Sequence, residues 1–385
     1  MVEGDVSLKL GSGHRQPHCA CPRMARKRLR SHGKGFQSGD CHRQVSSQNR
    51  TRHGRFGKDA WLALRQKQSP NARAQGSVLP RFPGGAATPA SIIDALRAAA
   101  GLRPGTRASF AWGRCVRGTY APSDQAREIT KSRSFTKPSR VLARFSLDGG
   151  NPTAANTDLL LRGFSFRLGS EGQRSEIFTQ SAPVHFARTL DQMLSFLAAR
   201  ILGPDGKPDW EKVEAFSASN PETLHQADYI AAHPLPASLA GTTYWGVHGF
   251  PATNSKGETR FIKFKVMPVG EEGRQAANEA TAKPPDLLHG DLDSRIAARD
   301  IRFSVMALLD RPGDPVMDVT IRWPDEDARE ALRLGTIVVT GVEPNDACDG
   351  AVFNPANLAE GIGRPPDEMF AARCAAYAIS QARRR

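Results

Sequence analysis

The pattern of apolar and polar positions changes character near Thr88. Beyond it, ASIIDALRAAAGL (91–103) predicts a short helix ended by Gly101. Alternating or continuous apolar runs then predict strands at RVLARFSL (140–147), LLLRGFSFRL (159–168) and SEIFTQ (175–180). Four more follow at TYWGVHGF (243–250), RFIKFKVM (260–267), IRFSVMALL (301–309) and TIVVTGVE (336–343). Between the third and fourth runs, residues 190–232 read as helical, broken by GPDGKPD. The chain closes on PDEMFAARCAAYAISQARRR, which predicts a terminal helix. Many strands, with helices gathered in one insertion and at the end, point to an α+β fold built on an antiparallel barrel or sandwich. There is no βαβ rhythm, glycine-rich phosphate loop or internal repeat, which argues against a nucleotide fold.

Charge divides the chain in the same place. Of the 385 residues, 1–75 hold 16 Lys and Arg against 4 Asp and Glu, and so carry most of the formal net charge of +14. That segment is poor in apolar residues and cannot bury enough surface to offset chain entropy. We read it as a basic, disordered extension, followed by one domain over 76–385. Nucleic-acid binding, if any, is confined to that extension. Cys19, Cys21 and Cys41, with His18 and His42 beside them, do not follow a zinc-site spacing. Cys115, Cys348 and Cys374 are scattered through the body and suggest a reducing compartment without disulfides. With no signal peptide and no apolar run near eighteen residues, the expectation is a soluble, cytoplasmic protein with no membrane partner.

The terminal helix carries Arg373 and, four residues on, Tyr377, one of only four tyrosines. Such a pair shares a helix face. A guanidinium beside a phenol favours the phenolate. The same spacing also fits a plain amphipathic helix whose tyrosine fills a core edge.

Taken in order, RFSLDGG, LRGFSFR, APVHF, TTYWGVH, FNPANLAEGI and RCAAYA resemble the heme-binding core of the catalase superfamily. The short catalase-related peroxidases are the branch they resemble most. The resemblance covers about residues 80–383. It implies an eight-stranded antiparallel β-barrel with flanking helices and a buried heme b. It implies that Tyr377 is the axial ligand to the heme iron, supported by Arg373, Asp367 and His248. It also implies that Arg107, in RASF, and Arg144, in RFS, bind the heme propionates.

On the distal side the chain departs from the family pattern. Phe110 stands where the family has its histidine and Trp112 where it has a lysine, while Ser109 replaces a residue that is often apolar. Gln180 stands at the asparagine position, and His185 at a phenylalanine that lines the pocket. Phenylalanine cannot take a proton from peroxide or return one. His185 is therefore either a relocated base or an imidazole turned away from iron.

The resemblance implies an oxidoreductase that uses hydrogen peroxide to oxidise a small organic substrate, with weak catalase activity. The alternatives are a repurposed heme enzyme (isomerase, dehydratase or peroxygenase) and a non-catalytic heme-binding protein. A homo-oligomer is compatible with all three.

Overall fold

The computed structural model describes residues 86–100, 105–148, 160–201, 203, 208–270, 285–351 and 353–384. The expected extension over 1–75, with its cysteines and histidines, lies outside the described residues. So does Gly101.

The first described helix, α1, runs Pro89–Ala100, and the first strand, β1, Trp112–Pro122. Then come β2 (Ser139–Leu147), β3 (Arg162–Leu168) and β4 (Ser175–Gln180). Three helices follow: α2 (Leu190–Ala199), α3 (Trp210–Ser219) and α4 (His225–Ala232). The chain continues through β5 (Tyr244–Trp245), β6 (Phe250–Thr253) and β7 (Thr259–Pro268). It ends with α5 (Pro285–Ala298), β8 (Ile301–Leu309), β9 (Ala331–Val342) and α6 (Glu368–Ala382).

Every strand pairing is antiparallel. The order runs β5-β4-β3-β2-β1-β9-β8-β7, and a further β5–β7 pairing closes eight strands into a barrel. Closure pairs the two outer strands of this eight-strand order with each other, while β6 lies beside β7 as a short extra strand. Phenylalanines fill the interior: Phe145 stacks on Phe164 at 4.4 Å between ring centroids, and Phe303 lies 5.2 Å from Phe164. Tyr244 completes the group, 5.5 Å from Phe164.

Three elements differ from the sequence reading, each for a local reason. TYWGVHGF is not one strand. β5 and β6 both lie along β7 but part between Gly246 and Gly249, where His248 turns toward α6. β1 is a full strand that periodicity did not reveal, because glycines and arginines interrupt its apolar alternation. Helix α5 was also missed. Its buried stripe is narrow, Leu288, Leu292 and Ile296, while Leu287 is exposed.

Cys115 and Cys348 form a disulfide across 233 residues, which corrects the expectation of a body without disulfides. Cys115 sits on β1 and Cys348 in the helical turn Asn345–Asp349, and both are buried. Cys374 is free. Among the described residues no helix is long and apolar enough to cross a membrane.

Candidate active site

Helices α1, α2 and α6 pack together outside the barrel through Ile92, Ala95, Met193, Leu197 and Met369. Between this layer and the barrel wall lies a cavity of about 1250 Å³, including its open mouth. One face of α6 lines it: Met369, Ala372, Arg373, Ala376, Tyr377 and Ser380, with Arg384 just beyond the helix. The spacing of three and four residues puts all of them on one side.

Asp367 starts that helix. Its side chain accepts the backbone N–H of Phe370 at 2.8 Å and so serves as the N-cap. The same buried carboxylate accepts from Nδ1 of His248 at 2.9 and 3.0 Å. Arg373 Nη1 reaches Nε2 of His248 at 3.1 Å. A guanidinium can only donate, so Nε2 accepts and the imidazole proton sits on Nδ1. Burial lowers the pKa of His248 and outweighs the neighbouring Asp367, in keeping with a neutral ring. Burial alone would raise the pKa of Asp367. Hydrogen bonds from His248 and Phe370, with the charge of Arg373, hold it below the usual carboxylate range. Arg373 Nη2 in turn donates to the Tyr377 hydroxyl oxygen at 3.5 Å. The result is one chain of contacts, Asp367–His248–Arg373–Tyr377, running from the buried core to the cavity.

Three more guanidinium groups line the cavity: Arg107, Arg144 and Arg384. Arg144 donates to the carbonyls of Phe110 and Ala111 at 2.8 and 2.9 Å. It lies across Gly113, where a Cβ would stand 2.5 Å from its guanidinium carbon, so only glycine leaves it that path. Arg107 donates to the carbonyls of Cys348 and Ala351 at 2.7 and 3.1 Å, while its buried Nε makes no hydrogen bond. Burial, then repulsion from Arg107, lowers Arg144 to about 9 and Arg384 to about 10. Burial lowers Arg107 as well. The nearby acid, Asp349, is 3.7 Å from Arg107 and largely exposed, so it compensates little.

The opposite wall carries the residues singled out on the distal side. Phe110 has a φ of 50°, in the left-handed region that bulky residues rarely occupy. Its ring packs edge-on to Phe178 at 5.0 Å and sits over Gly163, where a Cβ would lie 2.9 Å from it. Gln180, at the end of β4, donates its amide to the Val184 carbonyl at 2.9 Å. His185 lines the cavity, its Nδ1 2.8 Å from the Ala187 carbonyl and 3.1 Å from the Ala187 nitrogen. Burial brings its pKa down to about 3, so the ring is neutral at ordinary pH. Ser109 donates to Asp148 Oδ1 at 3.1 Å.

A profile of the catalase family matches residues 90–385. The chain belongs to the catalase family. A catalase-related peroxidase of Synechococcus elongatus is 30% identical over 308 residues, covering 77% of this chain and 88% of its own. A second, from Mycolicibacterium paratuberculosis, is 27% identical over 77% of this chain and 94% of its own. Within the catalase family, then, the chain resembles the short catalase-related peroxidases. A solved bacterial catalase superposes with a TM-score of 0.61 at 21% identity, covering 82% of this chain. The chain spans 64% of that catalase, and the likeness shows the fold.

Of the residues named from sequence, Arg107, Ser109, Phe110, Arg144, Gln180, His185, Arg373 and Tyr377 all line the cavity. His248 and Asp367 stand behind Arg373. Trp112 does not line it; its ring meets His289 edge-on at 5.0 Å. Two charged lining residues were missed. Arg384 falls seven residues after Tyr377, two helical turns on, but the closing arginine run reads as a solvated tail. Asp148 follows β2 directly and lies within RFSLDGG, which did not single it out as a site residue.

Proposed function

We propose that this catalase-family chain is a heme b-dependent oxidoreductase of the catalase-related peroxidase type. It would use hydrogen peroxide to oxidise a small organic substrate and release O₂ only weakly. The observation that carries the reading is the contact chain from Asp367 to Tyr377, with the phenol at the cavity wall. The residues fit a heme. Three mutually repelling guanidinium groups, one with an unpaired buried Nε, suit a ligand bearing two carboxylates.

In this reading Tyr377 would ligate the heme iron, and Arg107, Arg144 and Arg384 would hold the propionates. Heme supplies, when bound, a ferric centre that a phenolate can ligate and that peroxide can oxidise. Arg373 directs positive charge at the phenol oxygen, and His248 with Asp367 fixes where Arg373 points. Ile92, Ile93, Leu96 and Met193 give the cavity an apolar flank that suits an organic molecule and excludes water. Phe110 can neither take nor return a proton. Acid–base help is worth roughly 10²–10⁴-fold, about 3–5 kcal/mol of barrier, so turnover rests on what another group in the cavity recovers of it.

The test is the absorption spectrum of purified protein with and without peroxide. A tyrosinate charge-transfer band is expected, and Tyr377→Phe should abolish it. An unchanged ferric spectrum in that variant would sink the ligand assignment. The domain is proposed to span 76–385 behind an extension over 1–75, since the family match begins at residue 90. Loss of heme on removing residues 1–75 would count against that division.

A further inference from the structure

We propose that Asp148 is the residue that moves protons in this cavity, with Ser109 holding its carboxylate in place. The inference rests on the heme reading and deepens it. Among the described residues lining the cavity, Asp148 is the one carboxylate and His185 the one imidazole. Phe110 has no titratable group, and the Gln180 amide is committed to the Val184 carbonyl.

Asp148 is well fixed. It follows the last residue of β2, and its backbone N–H donates to the Leu161 carbonyl at 2.8 Å. Ser109 donates to Oδ1 at 3.1 Å. Ser109 is itself held, because Arg144 grips the next carbonyl, that of Phe110, at 2.8 Å. The serine that touches the acid is thus joined to the phenylalanine that cannot do its work.

His185 is the competing candidate: its Nδ1 is engaged by Ala187, which leaves Nε2 to act, and its ring stacks on Phe186 at 4.4 Å.

The step assigned to Asp148 is a proton transfer alone. One carboxylate oxygen takes a proton from a peroxide O–H and becomes a carboxylic acid. The same proton is later returned, so the side chain ends ionised, as it began. Ser109 lends a hydrogen bond to the ionised form and steadies it between the two transfers.

Cyanide binding to the ferric holoprotein tests this without turnover. Hydrogen cyanide must lose its proton to bind as the anion, so its association rate reports a base in the cavity. Asp148→Asn preserves shape and removes the proton acceptor. The expected result is an unchanged resting spectrum with cyanide association slowed about 10²-fold, while Asp148→Glu keeps part of the rate. Ser109→Ala should move the acid limb of the wild-type pH profile to higher pH. The other titratable groups lining the cavity are His185, Tyr377, Arg107, Arg144, Arg373 and Arg384. Unchanged cyanide kinetics in Asp148→Asn with a normal spectrum overturns the proposal and leaves the heme reading standing. Slowing in His185→Phe but not in Asp148→Asn gives the role to His185 and also overturns it. A wild-type protein that binds no heme defeats the heme reading, and this proposal with it.

Discussion

At position 110 the family's chemistry and this chain's geometry meet in one side chain. Phe110 sits in a strained backbone conformation, with its ring against Phe178 and Gly163. An imidazole is smaller than a phenyl ring and fits the same space, so Phe110→His should fold. In an Asp148→Asn background it should raise O₂ release about 10²-fold, near the lower end of acid–base assistance. In wild type the gain should be smaller, because Asp148 already supplies a proton-moving group. His185→Phe should change little in either background. O₂ evolution at equal heme content checks all of these, and a large loss in His185→Phe would reverse the assignment. The sequence shows why these residues differ in legibility. Arg373 and Tyr377 stand out by their four-residue spacing, His248 by the motif TTYWGVH, and Asp367 by its place six residues before Arg373. Asp148 lies inside RFSLDGG, but the motif does not show that its side chain reaches the cavity, which depends on where β2 ends.

Helix α6 is the element on which the site depends, and Asp367 is its hinge of interactions. One carboxylate caps the helix and accepts from His248, so two structural roles share one side chain. Asp367→Ala removes the cap, worth about 0.5–2 kcal/mol. It also leaves the buried His248 N–H unpaired, for roughly 1–3 kcal/mol more. Asp367→Asn keeps an oxygen for the Phe370 N–H and should cost less. The two variants also separate by pH. The folded-state pKa of Asp367 is depressed, so its contribution is present above the unfolded value and lost as pH falls through the folded one. The asparagine variant should therefore show a flatter acid limb in urea unfolding of the heme-free protein. An acid limb as steep as wild type's would mean that other groups set it. The strand expected over 243–250 illustrates the same coupling. Its apolar pattern favours a continuous strand, and the pull of Asp367 on His248 interrupts it. A contact made 119 residues away cannot be read from local alternation.

Across the whole molecule, the barrel was legible because seven of its strands carry strong apolar runs. The link that ties its first strand to the far end of the chain was not. Three body cysteines at 115, 348 and 374 give no spacing signal, and their pairing depends on the register of β1. In the fold, the Glu343 N–H donates to the Cys115 carbonyl at 2.9 Å. The Cys115 N–H donates to Asn345 Oδ1 at 3.0 Å, so hydrogen bonds as well as the disulfide hold the turn bearing Cys348 against β1. The disulfide then closes a loop of 233 residues, and with it falls the ground for expecting a reducing compartment. Long loops favour large entropic stabilisation, and removing a native disulfide typically costs about 2–5 kcal/mol. Replacing both cysteines by alanine should lower unfolding stability by an amount in that range. It should also loosen heme retention, because Arg107 is held by the carbonyls of Cys348 and Ala351. Arg107→Leu should weaken heme retention in the cysteine-free background less than in wild type, if the two act through one segment. Denaturant unfolding and heme transfer to an acceptor protein measure the two effects separately. Equal effects of Arg107→Leu in both backgrounds would show that the disulfide stabilises the fold without positioning the guanidinium.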